Sequence, residues 1–433
     1  MTGALLGLAG FGAVIALIML RMPVAIAMGT VGVLGVTYTT GWNAAGFMLG
    51  RSAFEAAFPY SLSIVPLFVA MGVFAAHAGL SRSLYSFVAS LIGQVRGGMA
   101  MATIGACTIF GAICGSGIAT AATMGRVALP EMKRLGYSDS LASASVAAGG
   151  TLGVMIPPSI LFLIYGLMTE QSIGKLFLSG ILPGIVGMLL YLAAVRYCVG
   201  RDPRAGPAGP RHSWSERFSA LAGIWKVLLL FVVVLGGMYT GMFSPTEAAA
   251  VGAFGALLVS WLSGSLTLVN FKSSLSETAT TTGMIFMILI GAGIFNFFIE
   301  TTGLTDALLD WINHLGLNRW MVMFILMVFY IILGALMDEI SMILLTVAPV
   351  FQLVTSLGFD PIWFGVMLVT VCEIGMIVPP VGINLFVIQG VGNLPMATVV
   401  RGIVPFAVAD CLRLLLISVF PWLATWLPNL IIQ

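Results

Sequence analysis

Long apolar stretches recur along the whole of this 433-residue chain, and they restrict its fold more than any other feature. Only 8% of the residues are charged and 60% are hydrophobic, whereas a soluble protein of this size carries about 25% charged residues. So few charges cannot cover a water-facing surface, and the lipid bilayer is therefore the expected solvent. Because the stretches continue along the chain, we predict an all-α polytopic membrane protein.

Two similar phrases, each with two adjacent prolines, interrupt these stretches. GVMIPPSI covers residues 153–160, and GMIVPPVG covers residues 375–382. Proline removes a backbone donor and clashes with the preceding turn. Each pair of prolines therefore predicts a helix that is cut into two half-helices.

The two phrases belong to a longer internal repeat. When the chain is shifted so that Pro157 falls on Pro379, other landmarks coincide, and Pro23 falls on Pro245. We call this shift the repeat offset. The shared order of landmarks predicts two repeats, residues 1–198 and 222–433, joined by a linker over residues 199–221.

The distribution of basic residues predicts how the two repeats are oriented. Short cytoplasmic loops collect Lys and Arg, and the arginines of the linker region place it in the cytoplasm: Arg196, Arg201, Arg204, Arg211 and Arg217. The first repeat carries Arg82 and Arg96 in a segment whose counterpart in the second repeat carries Asp306 and Asp310. This opposite charge predicts two repeats of inverted topology, with both chain termini in the periplasm.

Five membrane-spanning segments are predicted in each repeat. In the first repeat they are residues 4–20, 23–40, 60–79, 138–170 and 176–198. In the second repeat they are residues 222–241, 245–262, 280–300, 361–390 and 403–427. An odd number of crossings inverts the second copy, in agreement with the charges. The segments that contain the double prolines, residues 138–170 and 361–390, are the two predicted broken helices.

Two more apolar segments are predicted to enter the membrane as re-entrant hairpins without crossing it. Residues 98–128 have basic residues on both sides, and residues 319–350 carry Asp338 and Glu339 near their middle. A charged residue at the centre of a spanning helix costs about 2.5–3.5 kcal/mol, but a hairpin tip that faces a watery site avoids most of this cost. Ser116 falls on Asp338 under the repeat offset, so the two tips correspond.

Each hairpin tip is expected beside one helix break. A break frees carbonyl oxygens, which bind cations, and exposes a helix N-terminus, which attracts anions. We therefore predict two cation sites that flank one anion site. The candidate ligands of the first cation are Gly115, Ser116, Gly150, Thr151 and Gly153, and those of the second cation are Asp338, Glu373 and Gly375. The candidate substrate-binding residues are Ser116, Gly117, Pro157, Asp338, Pro379 and Asn384.

Four stretches of the chain resemble the large membrane subunit of TRAP (tripartite ATP-independent periplasmic) transporters, and the resemblance extends over essentially the whole chain. They are FGAICGSGIATAATMGRVALPEMKRLGY (110–137), GTLGVMIPPSILFLIYGLMTEQSIGKLFLSGILPG (150–184), FSPTEAAAV (243–251) and EIGMIVPPVGINLFVIQG (373–390). The resemblance implies that Gly115, Ser116 and Gly117 form the first hairpin tip and that Asp338 and Glu339 form the second. The chain departs from the family pattern at Val378, where threonine is frequent.

The same resemblance implies a function and a set of partners. It implies an elevator-type secondary transporter of the bacterial inner membrane, driven by Na⁺, with both hairpins and both broken helices in the moving domain. The implied partners are a small four-helix membrane subunit, a periplasmic solute-binding protein and a small organic acid with a carboxylate. It implies neither an enzyme nor a nucleic-acid-binding protein, and no cofactor apart from Na⁺ as the coupling ion.

Other functions are open from the residues alone. An H⁺-coupled organic anion carrier or exchanger of the same architecture would use Glu373 and Asp338 as proton carriers. A channel would need a continuous polar pore, whereas the predicted intramembrane polar clusters are paired at the midplane. An intramembrane enzyme would need a nucleophile and a base, such as serine and histidine, and no histidine lies at membrane depth in the predicted topology. Glu373 has a structural alternative, a hydrogen bond to the hairpin, and Glu247 has one as a helix cap.

Overall fold

The computed structural model of the chain describes residues 3–379 and 381–432, together with their side chains except those of Ala57, Val227 and Asn313. Pro380, the second proline of the second pair, lies outside the described residues. Within the described ranges every long element is a helix, which confirms the predicted all-α class. Seven helical segments of the described residues are long and apolar enough to cross a membrane, and one of them, Asp139–Thr169, includes the first break. The bent pair Trp214–Lys226 and Leu228–Tyr239 gives an eighth segment if it forms one span.

The first half of the chain forms ten helices, and a short 3₁₀ turn at Tyr60–Ser63 precedes α4. The helices are α1 (Gly3–Met19), α2 (Val24–Thr40), α3 (Trp42–Ala57), α4 (Ile64–His77), α5 (Leu80–Ile92), α6 (Gly98–Cys114), α7 (Gly117–Arg134), α8 (Asp139–Met155), α9 (Ile160–Thr169) and α10 (Ile173–Arg201). The interval between α8 and α9 contains Pro157 and Pro158, so the first predicted break is confirmed.

The second half forms eleven helices, and a π-helical turn at Val232–Gly236 joins its first two. The helices are α11 (Trp214–Phe231), α12 (Gly237–Tyr239), α13 (Pro245–Leu262), α14 (Leu268–Thr302), α15 (Leu304–Leu315), α16 (Arg319–Gly334), α17 (Glu339–Ser356), α18 (Pro361–Ile377), α19 (Ile383–Gly392), α20 (Met396–Val419) and α21 (Trp422–Ile431). The second predicted break lies between α18 and α19. Ser244 and Glu247 form a capping box at the start of α13, so Glu247 does act as a cap.

The helices pack as two groups. In the first group α2 packs along α14 and α4 packs along α13, with α1, α3 and α11 beside them. In the second group α6 and α7 pack on α8, α16 and α17 pack on α18, and α10 and α20 lie against both of the interrupted helices. The groups meet where α4 contacts α6 and where α14 contacts α17. Both hairpins and both breaks therefore belong to one group.

The linker shows that the first hairpin starts and ends on one side of the molecule. The N–H of Gly97, before α6, donates to the carbonyl of Gly206, and the N–H of Ser138, after α7, donates to the carbonyl of Ala205, each at 2.9 Å. Because adjacent linker residues hold both ends, α6 and α7 form a hairpin. The linker itself is shorter than the predicted 199–221, since α10 continues to Arg201 and α11 begins at Trp214.

Several predicted boundaries need correction. The second hairpin arms continue beyond residues 128 and 350, because α7 and α17 run through Pro130 and Pro349 to Arg134 and Ser356. The segment predicted at 280–300 is the end of the 35-residue helix α14. The segment predicted at 403–427 is two helices, since Pro421 disfavours the helical conformation of the residue before it and α20 ends at Val419. Helix α3 was not predicted.

Helix boundaries in the two halves follow the repeat offset. Helices α7 and α17 coincide at both ends under this shift, and so do α8 and α18. The halves differ elsewhere, because residues 42–77 form α3, a 3₁₀ turn and α4, whereas the counterparts of residues 46–77 all lie in the single helix α14. Four of the ten predicted crossings fall on helices of 17 residues, namely α1, α2, α8 and α18. The number and direction of crossings stay predictions.

Candidate functional site

The first hairpin tip packs directly against the first helix break. Gly115 ends α6 with φ of +64°, a left-handed conformation that glycine adopts without strain. Ser116 then caps α7, and its Oγ accepts a hydrogen bond from the N–H of Ala119 at 3.4 Å. A Cβ atom added at Gly115 would lie 3.3 Å from the carbonyl oxygen of Pro158. The tip is thus in contact with the interruption between α8 and α9.

The tip also reaches the second interrupted helix, because Gly117 lies between α8 and α18. A Cβ atom at Gly117 would lie 2.8 Å from the Cε of Met376 on α18, 3.1 Å from the side chain of Val154 and 3.4 Å from the carbonyl oxygen of Gly150. One hairpin tip therefore contacts both interrupted helices. Because Gly117 and Gly150 have no side chain, the backbones of α7 and α8 come close together here, and each glycine carbonyl oxygen lies near the other glycine.

The first break exposes backbone groups of both polarities. Helix α8 ends at Met155, and the carbonyls of a last helical turn have no partner within the helix. Helix α9 starts after Ser159, whose Oγ accepts from the N–H of Phe162 at 3.3 Å. Pro157 is buried between the two half-helices. Gly153, a predicted cation ligand, packs backbone to backbone against Gly111 of α6, so the last turn of α8 is held by the hairpin.

The second hairpin tip is acidic. Asp338 caps α17, where its Oδ2 accepts from the N–H of Ser341 at 3.0 Å and its Oδ1 accepts from the Ser341 hydroxyl at 2.7 Å. Glu339, the next residue, is buried, and among the described residues its Oε2 atom has no hydrogen-bond partner. A buried carboxylate oxygen without a partner is costly. Glu339 is therefore a cation-ligand candidate that the sequence analysis placed at the tip but not among the ligands.

The second break differs from the first in what it buries. Pro379 is exposed, whereas its counterpart Pro157 is buried. Asn384, in the first turn of α19, is fully buried, and its Nδ2 donates to the carbonyl of Ala147 on α8 at 3.2 Å. Within the described part of the chain its Oδ1 has no partner. Because Ala147 lies one helical turn from Gly150, Asn384 offers a free acceptor close to the first tip.

The two halves exchange contacts around these breaks. Helix α19 packs on α7 and α8, and helix α9 packs on α17. Each half-helix that follows a break therefore rests against the second hairpin arm of the other half. Gly375, a predicted cation ligand, approaches Gly334 so closely that a Cβ atom on it would lie 2.7 Å from the Gly334 backbone. The structure thus brings the first tip, both breaks and Asn384 together, and it holds α18 against the second hairpin.

A buried chain of polar side chains crosses this group of helices, and sequence analysis missed most of it. The hydroxyl of Thr151 lies 3.4 Å from that of Tyr191, which donates to Asp410 Oδ2 at 2.5 Å. Asp410 Oδ1 lies 3.0 Å from Arg413 Nη2, and Arg413 forms an ion pair with Glu373. All five side chains are fully buried. We call Thr151, Tyr191, Asp410, Arg413 and Glu373 the buried polar chain.

The side chains of two predicted cation ligands, Glu373 and Thr151, already have partners in or beside the buried polar chain. The Glu373 carboxylate is held by Arg413 of α20, so its hydrogen-bond partner is not the hairpin, as the structural alternative had it. The Thr151 hydroxyl donates to the carbonyl of Ala148 at 2.8 Å. The other carboxylate oxygen of Glu373, Oε1, has no hydrogen-bond partner among the described residues. The ligand roles of both residues stay predictions.

The sequence does contain a signal for part of the buried polar chain. Asp410 and Arg413 interrupt an apolar segment in the same way as Asp338 does, and intramembrane charges mark functional or paired groups. They lie three residues apart, which places them on one helix face. Tyr191 gives no such signal, because a tyrosine in an apolar helix is an ordinary core residue.

Comparison with known proteins decides the family. The family model described as "Tripartite ATP-independent periplasmic transporter, DctM component" matches residues 11–423. The chain belongs to this family. A DctM chain of Pseudomonas aeruginosa, named as a C4-dicarboxylate TRAP transporter large permease protein, is 37% identical over 384 residues, which are 88% of this chain and 89% of that relative. The predicted TRAP large subunit is thereby confirmed.

Other DctM-family relatives carry different substrate names. A sialic acid TRAP transporter large permease protein of Vibrio cholerae is 32% identical and covers 86% of this chain and 87% of its own length. An ectoine TRAP transporter large permease protein of Halomonas elongata is 30% identical, with 96% and 97% covered. An isethionate TRAP transporter permease protein DctMQ of Oleidesulfovibrio alaskensis is 34% identical over 86% of this chain, but only 58% of that longer relative is matched.

A solved structure supports the fold of this DctM chain. The Alcanivorax borkumensis YdaH transporter has a TM-score of 0.63 at 16% identity, and the match covers 90% of each chain. At this level of identity the likeness concerns the fold alone. Together with the family match, it identifies a multi-pass transporter subunit of the TRAP type.

Proposed function

We propose that this DctM-family chain is the carrier subunit of a Na⁺-coupled uptake system for a small organic anion in the bacterial inner membrane. The observation that supports this most is the contact of one hairpin tip with both interrupted helices, at Gly117. The relatives are named for C4-dicarboxylates, sialic acid, ectoine and isethionate. Each of these substrates carries an anionic group, a carboxylate or, in isethionate, a sulfonate, and such a group needs compensation when it leaves water.

Backbone groups would compensate the charge of the bound Na⁺ and the charge of the substrate anion. Na⁺ would be held by carbonyl oxygens of the last turns of α8 and α18 together with the adjacent hairpin tips, where Ser116 and Asp338 lie. The anion would lie at the N-termini of α9 and α19 and at the amides of the first tip, next to the bound Na⁺. Asn384 Oδ1 would accept from a hydroxyl or ammonium group of the substrate.

We further propose that the group of helices containing the hairpins moves as a unit against the group around α2 and α14, in an elevator motion with inverted repeats. A cleft of about 440 Å³ lies between the groups and supports this division. Its walls include Glu55 after the middle of α3, Glu170 at the end of α9 and Gly293 of α14. A small membrane subunit and a periplasmic binding protein would complete the system, as the longer DctMQ relative suggests.

The inverted topology predicts opposite accessibility for two equivalent positions. Arg82 of α5 and Asp306 of α15 are both exposed. Cysteines introduced as Arg82→Cys and Asp306→Cys should react with a membrane-impermeant maleimide from the cytoplasmic and the periplasmic side, respectively. The parent protein, with its exposed Cys411, provides the background. Labelling of both variants from the same side would rule out the inverted repeat.

Uptake should depend steeply on Na⁺, because two cation sites flank the anion. The measurement is uptake of radiolabelled succinate, sialic acid and ectoine by proteoliposomes that contain the chain, its small subunit and its binding protein. We expect replacement of Na⁺ by K⁺ to abolish uptake of the transported acid, and the Na⁺ dependence to have a Hill coefficient above one. Uptake that continues without Na⁺ and follows an imposed pH gradient would favour the H⁺-coupled carrier instead.

A further inference from the structure

The buried polar chain connects the two interrupted helices through two continuous ones. Thr151 lies on α8, Tyr191 on α10, Asp410 and Arg413 on α20, and Glu373 on α18. The first step is a polar contact of 3.4 Å between two hydroxyls, because Thr151 donates its proton to Ala148 and Tyr191 donates its proton to Asp410. The later steps run from the Asp410 carboxylate to the Arg413 guanidinium and on to the Glu373 carboxylate. No member of the chain contacts the first hairpin tip through a described hydrogen bond. Its route is therefore separate from the substrate contacts proposed above.

The members of this chain occupy equivalent positions in the two halves. Thr151 falls on Glu373 under the repeat offset, and Tyr191 falls on Arg413. The same pair of positions thus faces each other in both halves, as two hydroxyls in the first and as an ion pair in the second. Asp410, whose counterpart is Met188, is the added group that joins the two pairs. The connection between the two pairs therefore depends on the carboxylate of Asp410.

The positions of Thr151 and Glu373 relative to the breaks are also the same. Thr151 lies four residues before the end of α8 at Met155, and Glu373 lies four residues before the end of α18 at Ile377. Each side chain is therefore attached one turn before the interruption. The carbonyls proposed as Na⁺ ligands belong to these last turns. A shift of Thr151 or of Glu373 would therefore displace the carbonyls of the helical turn that follows it.

Because the buried polar chain is shielded from solvent, its side chains can adopt few arrangements. All of its side chains are shielded from solvent, and a buried ion pair is tolerated only with good geometry, because desolvation of the charges is costly. Gly187 of α10 provides the room, since a Cβ atom there would lie 2.6 Å from Arg413 Nη1. The fold thus accommodates a guanidinium between α10 and α18 although such a pair adds little stability. A positional role accounts for this arrangement better than a stabilising one.

We propose that Tyr191, Asp410 and Arg413 are positioning residues that couple the two ion sites. A cation bound at the last turn of α8 would fix the position of Thr151. The buried polar chain would in turn restrict the position of Glu373 and of the last turn of α18. Binding of the second cation would then cost less conformational freedom, which is positive cooperativity. The inference rests on the proposed Na⁺ coupling.

The test removes the hydroxyl of Tyr191 from the buried polar chain. Tyr191→Phe keeps the ring and deletes the hydrogen bond to Asp410. We expect the Na⁺ concentration for half-maximal uptake to rise about tenfold, within the usual range of coupling between sites, and the Hill coefficient for Na⁺ to fall towards one. The substrate concentration for half-maximal uptake at saturating Na⁺ should stay within about twofold of the parent, because no substrate contact is removed. Asp410→Asn should change the Na⁺ dependence in the same direction.

Tyr165→Phe is the matched control. Tyr165 of α9 is also fully buried, and its hydroxyl donates to the carbonyl of Pro361 at 2.7 Å, at the far end of α18 from Glu373. This variant should keep the parent's Na⁺ dependence while its melting temperature in detergent falls as much as that of Tyr191→Phe. A parent-like Na⁺ dependence in Tyr191→Phe would overturn the coupling and leave the proposed function intact. Na⁺-independent uptake by the parent would overturn both.

Discussion

Replacement of Ser116 by phenylalanine should reduce uptake to below about 1% of the parent, since misplacement by about 1 Å in a site already costs about a hundredfold. Ser116 is half-buried and lies between Gly115, which contacts the first break, and Gly117, which contacts both interrupted helices. An aromatic ring in this position would fill the space proposed for the anion. The measurement is uptake by proteoliposomes, together with the melting temperature of the purified variant in detergent.

Two further variants separate filling of the site from loss of the helix cap. Ser116→Ala removes the Oγ that caps α7, which costs about 1 kcal/mol, and should retain a substantial part of the uptake. Ser138→Phe places the same ring at another half-buried N-cap, that of α8, at the opposite end of that helix from the break. We expect it to transport. Normal uptake by Ser116→Phe would show that the substrate does not lie at the first tip.

The sequence predicts the breaks and the tips because each depends on a local backbone rule. Pro157 and Pro158 remove two adjacent donors inside an apolar helix and interrupt it, whereas the single prolines Pro183 and Pro405 leave α10 and α20 continuous. Ser116 and Asp338 are residues that cap helices well, and both are found at the first position before a hairpin arm. Positions of this kind can be read without knowledge of the partners. The repeat offset then relates one half of the site to the other.

The rest of the site depends on contacts between distant segments. The partner of Glu373 is Arg413, and the residue that links Arg413 to the first half is Tyr191, which lies in the opposite half of the chain. Nothing in the local sequence specifies that these side chains meet. Burial is equally non-local, because Pro157 is buried and its counterpart Pro379 is exposed although both follow the same phrase. The second hairpin arms continue beyond the predicted ends because the single prolines Pro130 and Pro349 each remove one hydrogen bond without ending the helix.

Arg413→Met should destabilise the protein by about 3–5 kcal/mol, which is the usual cost of removing one partner from a buried ion pair. Arg413 is the one cationic member of the buried polar chain, and its loss would leave the carboxylates of Glu373 and Asp410 buried without a compensating charge. Methionine keeps much of the aliphatic volume, so the packing loss is small. We expect a low yield of monodisperse protein in detergent and a lowered melting temperature.

A compensated variant distinguishes charge from packing. Arg413→Met combined with Glu373→Gln and Asp410→Asn removes all three charges, so no uncompensated charge is left buried. We expect this triple variant to recover most of the lost melting temperature but not the Na⁺ cooperativity of the parent. A triple variant as unstable as Arg413→Met would assign the loss to the packing of the arginine stem. An Arg413→Met protein as stable as the parent would show that the two carboxylates do not need the guanidinium, because something other than Arg413 balances their charge.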